Sequence, residues 1–107
     1  MTSDRLPAWQ LTPAQRNDLR ARLVQQRRFR LDQLAGLEAG AERNDEIAQS
    51  LTAAARAALH DVTEALQRMD EGSYGSCAAC GRALPLERLE LLPQVSRCAA
   101  CLQSAQT

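Results

Sequence analysis

Lysine is missing from this 107-residue chain, so each of its 13 fixed cations is an arginine. We read that absence as genome base composition rather than chemistry. Aromatic rings are almost absent as well: Trp9, Phe29 and Tyr74 are the whole supply. So few large side chains do not suit a broad compact core, whereas helices packed along a narrow seam need only Leu and Ala. A single histidine, His60, leaves no Ser-His-Asp arrangement, and neither an HExxH pair nor a phosphate-cradling glycine loop is present. A lone helical histidine of this kind reads as a surface or seam residue. With no catalytic constellation, the chain is not expected to be an enzyme. No apolar run approaches membrane-spanning length, so it is expected to be soluble. Met1 is followed by Thr2, Ser3, Asp4 and Arg5 rather than by a basic start and an apolar stretch. That start argues against a secretory leader and for a reducing, cytoplasmic setting in which disulfides are disfavoured.

Cysteine is scarce but concentrated. All four residues lie in two Cys-x-x-Cys pairs, Cys77/Cys80 and Cys98/Cys101, separated by 17 residues. Each pair lets two thiolates reach one ion from a tight turn, and two pairs complete a tetrahedral sulfur shell. The interval lies within the range expected of a four-cysteine zinc site. Gly81 supplies the backbone freedom that the knuckle after the first pair needs. Four thiolates fill the tetrahedron, so the zinc is expected to be structural and to supply much of the folding free energy of a small lobe. A redox dithiol would sit at a helix start in a βαβ context, which this sequence does not offer.

Upstream the pattern is helical, and the expected fold class is all-α: an antiparallel helical hairpin, a short coiled coil, with a small C-terminal zinc finger. Residues 1–11 read as an N-terminal arm. Thr12-Pro13-Ala14-Gln15 is a capping box with proline at the first helical position. From there Leu19, Leu23, Val24, Leu31, Leu34 and Leu37 form an apolar stripe interrupted by Gln26, Arg27 and Arg30, giving a first helix over about 12–38. Residues 39–44 read as a turn, with Asn44 placed to cap a second helix and Asp45 and Glu46 in its first turn. The positions Ile47, Leu51, Ala54, Ala55, Ala58, Leu59, Val62, Ala65, Leu66 and Met69 recur at intervals of three and four until Gly72. Thus 12–71 is read as the hairpin, with its tip near 39–46, and 72–107 as the metal lobe. Within the lobe, Pro85–Leu89 suggests one helical turn, and another short helix is expected near Cys98.

Net charge is zero, but residues 1–37 carry +4, residues 38–71 carry −5 and residues 72–107 carry +1. A basic helix beside an acidic one reads as two arms that attract each other. The run Arg27-Arg28-Phe29-Arg30 suits phosphate contacts. In a chain without net positive charge it reads more simply as a solvated helix face.

The run Met69-Asp70-Glu71-Gly72-Ser73-Tyr74-Gly75-Ser76-Cys77-Ala78-Ala79-Cys80-Gly81 resembles the approach to the first cysteine pair in the DksA/TraR family of zinc-containing bacterial transcription regulators. The similarity continues through Leu84-Pro85, Arg88-Leu89 and Pro93 to Cys98 and Cys101. The resemblance implies binding to RNA polymerase through its secondary channel, often with ppGpp, and disfavours direct DNA binding. It also implies zinc ligation by Cys77, Cys80, Cys98 and Cys101. The partner-facing tip falls on Glu42, Asp45, Glu46, Ile47 and Ala48. The family's tip often reads Asp-x-x-Asp-x-Ala, and here the matching frame is Glu42-Arg43-Asn44-Asp45-Glu46-Ile47, with isoleucine in place of alanine. Two other readings stay open on the residues alone: a small zinc-finger DNA-binding protein, and a thiol-based redox sensor.

Overall fold

The computed structural model describes residues 11–39 and 46–105. Two long helices, α1 (Pro13–Ala39) and α2 (Glu46–Glu71), are followed by two short ones, α3 (Leu86–Leu91) and α4 (Ala99–Ala105). The molecule is elongated, with extents of 57 × 35 × 21 Å. No strand occurs among the described residues, only an isolated antiparallel bridge between Ser76 and Ala83. The all-α expectation holds.

The capping box forms as the sequence requires. The Gln15 amide N–H donates to Thr12 Oγ1 at 3.0 Å, and the Thr12 N–H donates to Gln15 Oε1 at 2.9 Å. Two of the amides that a helix start leaves unpaired are thereby satisfied. At the far end of α2, Gly72 adopts φ 82°. Its N–H reaches the Met69 carbonyl and the Ser73 N–H reaches the Arg68 carbonyl. This is a Schellman closure, which turns the chain out of the helix and into the lobe.

The core lies where the hairpin meets the lobe. Leu19 and Leu23 of α1 and Val62, Ala65 and Leu66 of α2 pack with Leu11, Tyr74, Cys77, Leu84 and Leu89. Leu11, read from sequence as part of a loose arm, is buried in this cluster. Burying a leucine stabilises by roughly 1.5–3 kcal/mol, so a handful of such residues suffices to seat one unit on the other.

Toward the tip the packing thins. Among the described residues of the distal half only Leu34 and Ala55 are buried, whereas Val24, Leu31, Ile47 and Leu51 are 41–71% exposed. The sequence stripe had Val24 and Leu31 facing inward, and the structure corrects this. Three residues per heptad cannot all meet a single partner helix, because two helices share a narrow seam. The arms are also tied by Arg20–Asp70 at 2.8 Å near the lobe and Arg56–Glu38 at 2.9 Å farther out. The first pairing follows the basic-to-acidic expectation. The second reverses it, with the acid on α1.

Candidate metal centre

The lobe folds back on itself in the first turn after α2. The Leu84 N–H donates to the Gly75 carbonyl at 2.7 Å and the Cys77 N–H to the Arg82 carbonyl at 2.7 Å. This short antiparallel pairing brackets the knuckle Cys77–Arg82. Within it the Gly81 N–H closes on the Cys77 carbonyl at 2.9 Å, with Gly81 at φ 79°. The second knuckle runs directly into α4, whose first turn closes with the Leu102 N–H on the Cys98 carbonyl at 3.0 Å. The two are stitched together by the Ala78 N–H on the Ser96 carbonyl at 2.6 Å.

These bonds bring all four sulfurs of Cys77, Cys80, Cys98 and Cys101 within 4.8 Å of one another. The Cys80 and Cys98 sulfurs are 3.8 Å apart. A tetrahedron with zinc–sulfur bonds of about 2.3 Å has edges of about 3.8 Å, so the donor set fits zinc in number, type and size. Cys77 is buried while Cys80 faces solvent. Burial opposes ionisation of Cys77, but backbone N–H groups of Cys98, Cys80 and Ala79 outweigh it and hold the thiol down at about 5. Cys98 is lowered too, chiefly by the backbone N–H of Cys101. Cys101 is pushed up to about 12 by the side chains of Cys98, Cys77 and Cys80. Sulfurs this close cannot all carry charge unless a dication stands among them. With all four engaged no position is open for water or substrate, so the metal holds structure rather than performing chemistry.

Tyr74, part of the family-like run, and Arg68, which the sequence reading did not mark out, join this lobe to its surroundings. The Tyr74 hydroxyl, buried, donates to the Pro93 carbonyl at 2.9 Å and so ties the approach to the first knuckle to the segment leading into the second. Burial pushes its hydroxyl up to about 12. Arg68 Nη2, at the end of α2, donates to the carbonyls of Ser73 and Ser76. The sequence signal for both was composition: a tyrosine in a chain nearly devoid of rings, and an arginine in the last turn of a helix where free carbonyls gather.

Of the tip residues, Glu42 and Asp45 lie outside the described residues. Glu46 and Ile47 are exposed and Ala48 is half-buried, all in the first turn of α2. His60 is exposed on α2 as expected. Its Nε2 lies 3.4 Å from Glu64 one turn on, a pairing that the sequence reading had not counted.

A projecting two-helix hairpin rooted in a four-sulfur metal lobe defines the class: a helical hairpin with a C4 zinc finger. Residues 72–106 match the prokaryotic dksA/traR C4-type zinc finger. The finger of this chain is thus of the dksA/traR C4 type over that stretch. The fold agrees: transcription factor DksA2 from Pseudomonas aeruginosa superposes with a TM-score of 0.74 at 24% identity, over 94% of this chain and 90% of that one. The RNA polymerase binding protein and transcriptional regulator Dks from Chlamydia trachomatis gives 0.54 at 23% identity, over 90% and 92%. Among curated proteins, an uncharacterized protein of Aquifex aeolicus is 31% identical over 62 residues, 58% of this chain and 43% of that one. General stress protein 16O of Bacillus subtilis is 47% identical over 38 residues, 36% of this chain and 23% of that one. The chain thus spans less than half the length of the curated relatives it matches.

Proposed function

We infer that this protein is a transcription regulator that binds bacterial RNA polymerase through its secondary channel and performs no catalysis of its own. The observation that carries this reading is the pairing of a dksA/traR-type finger with a hairpin about 40 Å long, the length of a 27-residue helix. The finger fixes the root and leaves the far ends of α1 and α2 to project. Glu42, Asp45, Glu46, Ile47 and Ala48 form the partner-facing tip in this reading, and acids there suit a cleft lined with bound metal or basic residues. The tip's departure at Ile47 bears on what the protein does to initiation rather than on whether it docks. ppGpp is assigned to the polymerase interface, and the cytoplasm is the setting. Among the described residues no helix is long and apolar enough to cross a membrane. Direct duplex binding is not favoured: Arg20 pairs with Asp70 and Arg30 sits over Phe29, so the arginines of α1 are partly engaged within the chain.

Zinc-loaded protein in excess over purified RNA polymerase is expected to co-elute with it. Absence of any association would overturn the reading. Once docking is seen, Asp45→Asn with Glu46→Gln should reduce the effect on in vitro transcription more than the affinity. An equal loss of both would make the tip an anchor instead.

A further inference from the structure

The lobe carries two arginines, Arg82 and Arg88, that take part in none of the ion pairs among the described residues. Arg88 is half-buried, and its Nε is shielded from solvent without a hydrogen-bond acceptor. Both arginines line one cleft of about 490 Å³, and Cys98 stands in its wall. Glu87, next to Arg88 on α3, lines the same cleft, but adjacent residues on a helix do not face each other. The backbones of both arginines are fixed. The Arg82 carbonyl receives the Cys77 N–H at 2.7 Å, which seats Arg82 directly on the first knuckle. In α3 the Arg88 N–H donates to the Pro85 carbonyl at 3.0 Å, and the Arg88 carbonyl accepts the Leu92 N–H at 2.8 Å. Two guanidiniums are thus delivered from rigid elements to the flank of the second cysteine pair.

The cysteines supply the negative charge that these cations lack. Four thiolates around one zinc dication leave two negative charges uncompensated. Half-buried Ala83 and Pro85 form part of the same wall, so water screens the attraction less than on an open surface. We propose that Arg82 and Arg88 are the counter-cations of the zinc–thiolate centre. They are positioning residues that act through the sulfurs, tightening the hold on the metal. They also make the thiolates poorer nucleophiles. Zinc already keeps all four cysteines as thiolates, so a further cation adds no thiolate and only draws electron density from sulfur.

The zinc-loaded full chain is compared with Arg82→Gln, Arg88→Gln, the two combined, and the corresponding lysine variants. Arg97→Gln is the control, since Arg97 lines a separate groove beside Asp61 and Glu64. Zinc transfer to a competing chelator gives the affinity, and iodoacetamide, a neutral electrophile, reports on the sulfurs. In that reaction a thiolate displaces iodide, a carbon–sulfur bond replaces the carbon–iodine bond, and zinc loses one ligand. Cobalt(II) in place of zinc adds a spectroscopic readout, because electron-rich sulfur moves the sulfur-to-cobalt charge-transfer band to longer wavelength. The double Gln variant is expected to lose zinc affinity about tenfold or more and to be alkylated faster by a similar factor. Its cobalt band moves to longer wavelength, its difference from the native chain shrinks in high salt, and lysine restores most of the loss. The control keeps the native values. Native affinity, alkylation rate and band position in the double Gln variant would overturn the proposal. So would an equal loss in Arg97→Gln, or lysine variants as impaired as the Gln ones, which would reduce the arginines to packing. An unchanged helical signal verifies folding. If Arg88→Gln loses that signal, Arg82→Gln alters an exposed side chain and decides alone. Polymerase docking enters none of these measurements, so failure here leaves the proposed function intact.

Discussion

Tyr74 is where one side chain carries the most structural consequence. Its hydroxyl is the buried link between the two halves of the lobe, through Pro93. Tyr74→Phe should leave that carbonyl unsatisfied and lower stability by about 1–3 kcal/mol in denaturant titrations. The same hydroxyl gives a pH signature. Its folded-state value is raised to about 12 from an ordinary 10. Its contribution is therefore fully present below pH 10 and is lost as pH rises toward 12. Alkaline unfolding in that window should be shallower in Tyr74→Phe than in the native chain; equal slopes would remove Tyr74 from the account. Gly81 makes a second residue-scale case. It sits at φ 79°, and no atom lies within 4 Å of where a Cβ would project, so alanine there would meet backbone strain alone. Gly81→Ala should cost about 1–2 kcal/mol. That cost should appear as faster zinc loss to a competing chelator, because the knuckle it closes holds Cys77 and Cys80.

At the scale of elements, the hairpin is not uniformly stable. Near the lobe, Leu19, Leu23, Val62, Ala65 and Leu66 are buried, whereas beyond them Leu34 and Ala55 stand almost alone. The Arg56–Glu38 pair is exposed on both sides, and such pairs contribute at most about 1 kcal/mol. Amide hydrogen exchange is expected to be slow over residues 15–24 and 58–68 and markedly faster over 30–38 and 47–55. Uniform protection along both helices would contradict this. The contrast explains what could be read from sequence. Caps and periods are local, so the Thr12–Gln15 box and the run into Gly72 announced α1 and α2 directly. Cysteine spacing is equally local, and it specified the metal site by itself. The depth at which Val24 and Leu31 sit was not legible, because it depends on how much of a stripe one partner helix can cover. The Tyr74–Pro93 and Arg68–Ser76 bonds were equally hidden, since they join segments whose approach is set by the fold of the lobe. Of the tip, Glu42 and Asp45 were named from family resemblance, and the structure describes only Glu46, Ile47 and Ala48 around it.

The whole molecule is a lever with one fixed end. A lobe of about 35 residues is too small to stabilise itself by burial alone, and the metal stands in for the missing core. Removing zinc with a strong chelator should disorder residues 72–105, release the seat formed by Tyr74, Leu84 and Leu89, and leave a hairpin of reduced helicity. Polymerase docking should fall with it if the lobe orients the hairpin, whereas docking that survives full metal removal would detach function from the finger. Everything else, including the seating of the hairpin on the lobe, presumes that four sulfurs grip one ion. Zinc-edge X-ray absorption on the purified chain measures that grip directly. One zinc per chain surrounded by four sulfurs at about 2.3 Å is the expected result. Nitrogen or oxygen in the shell, or a folded chain that holds no zinc, would contradict it.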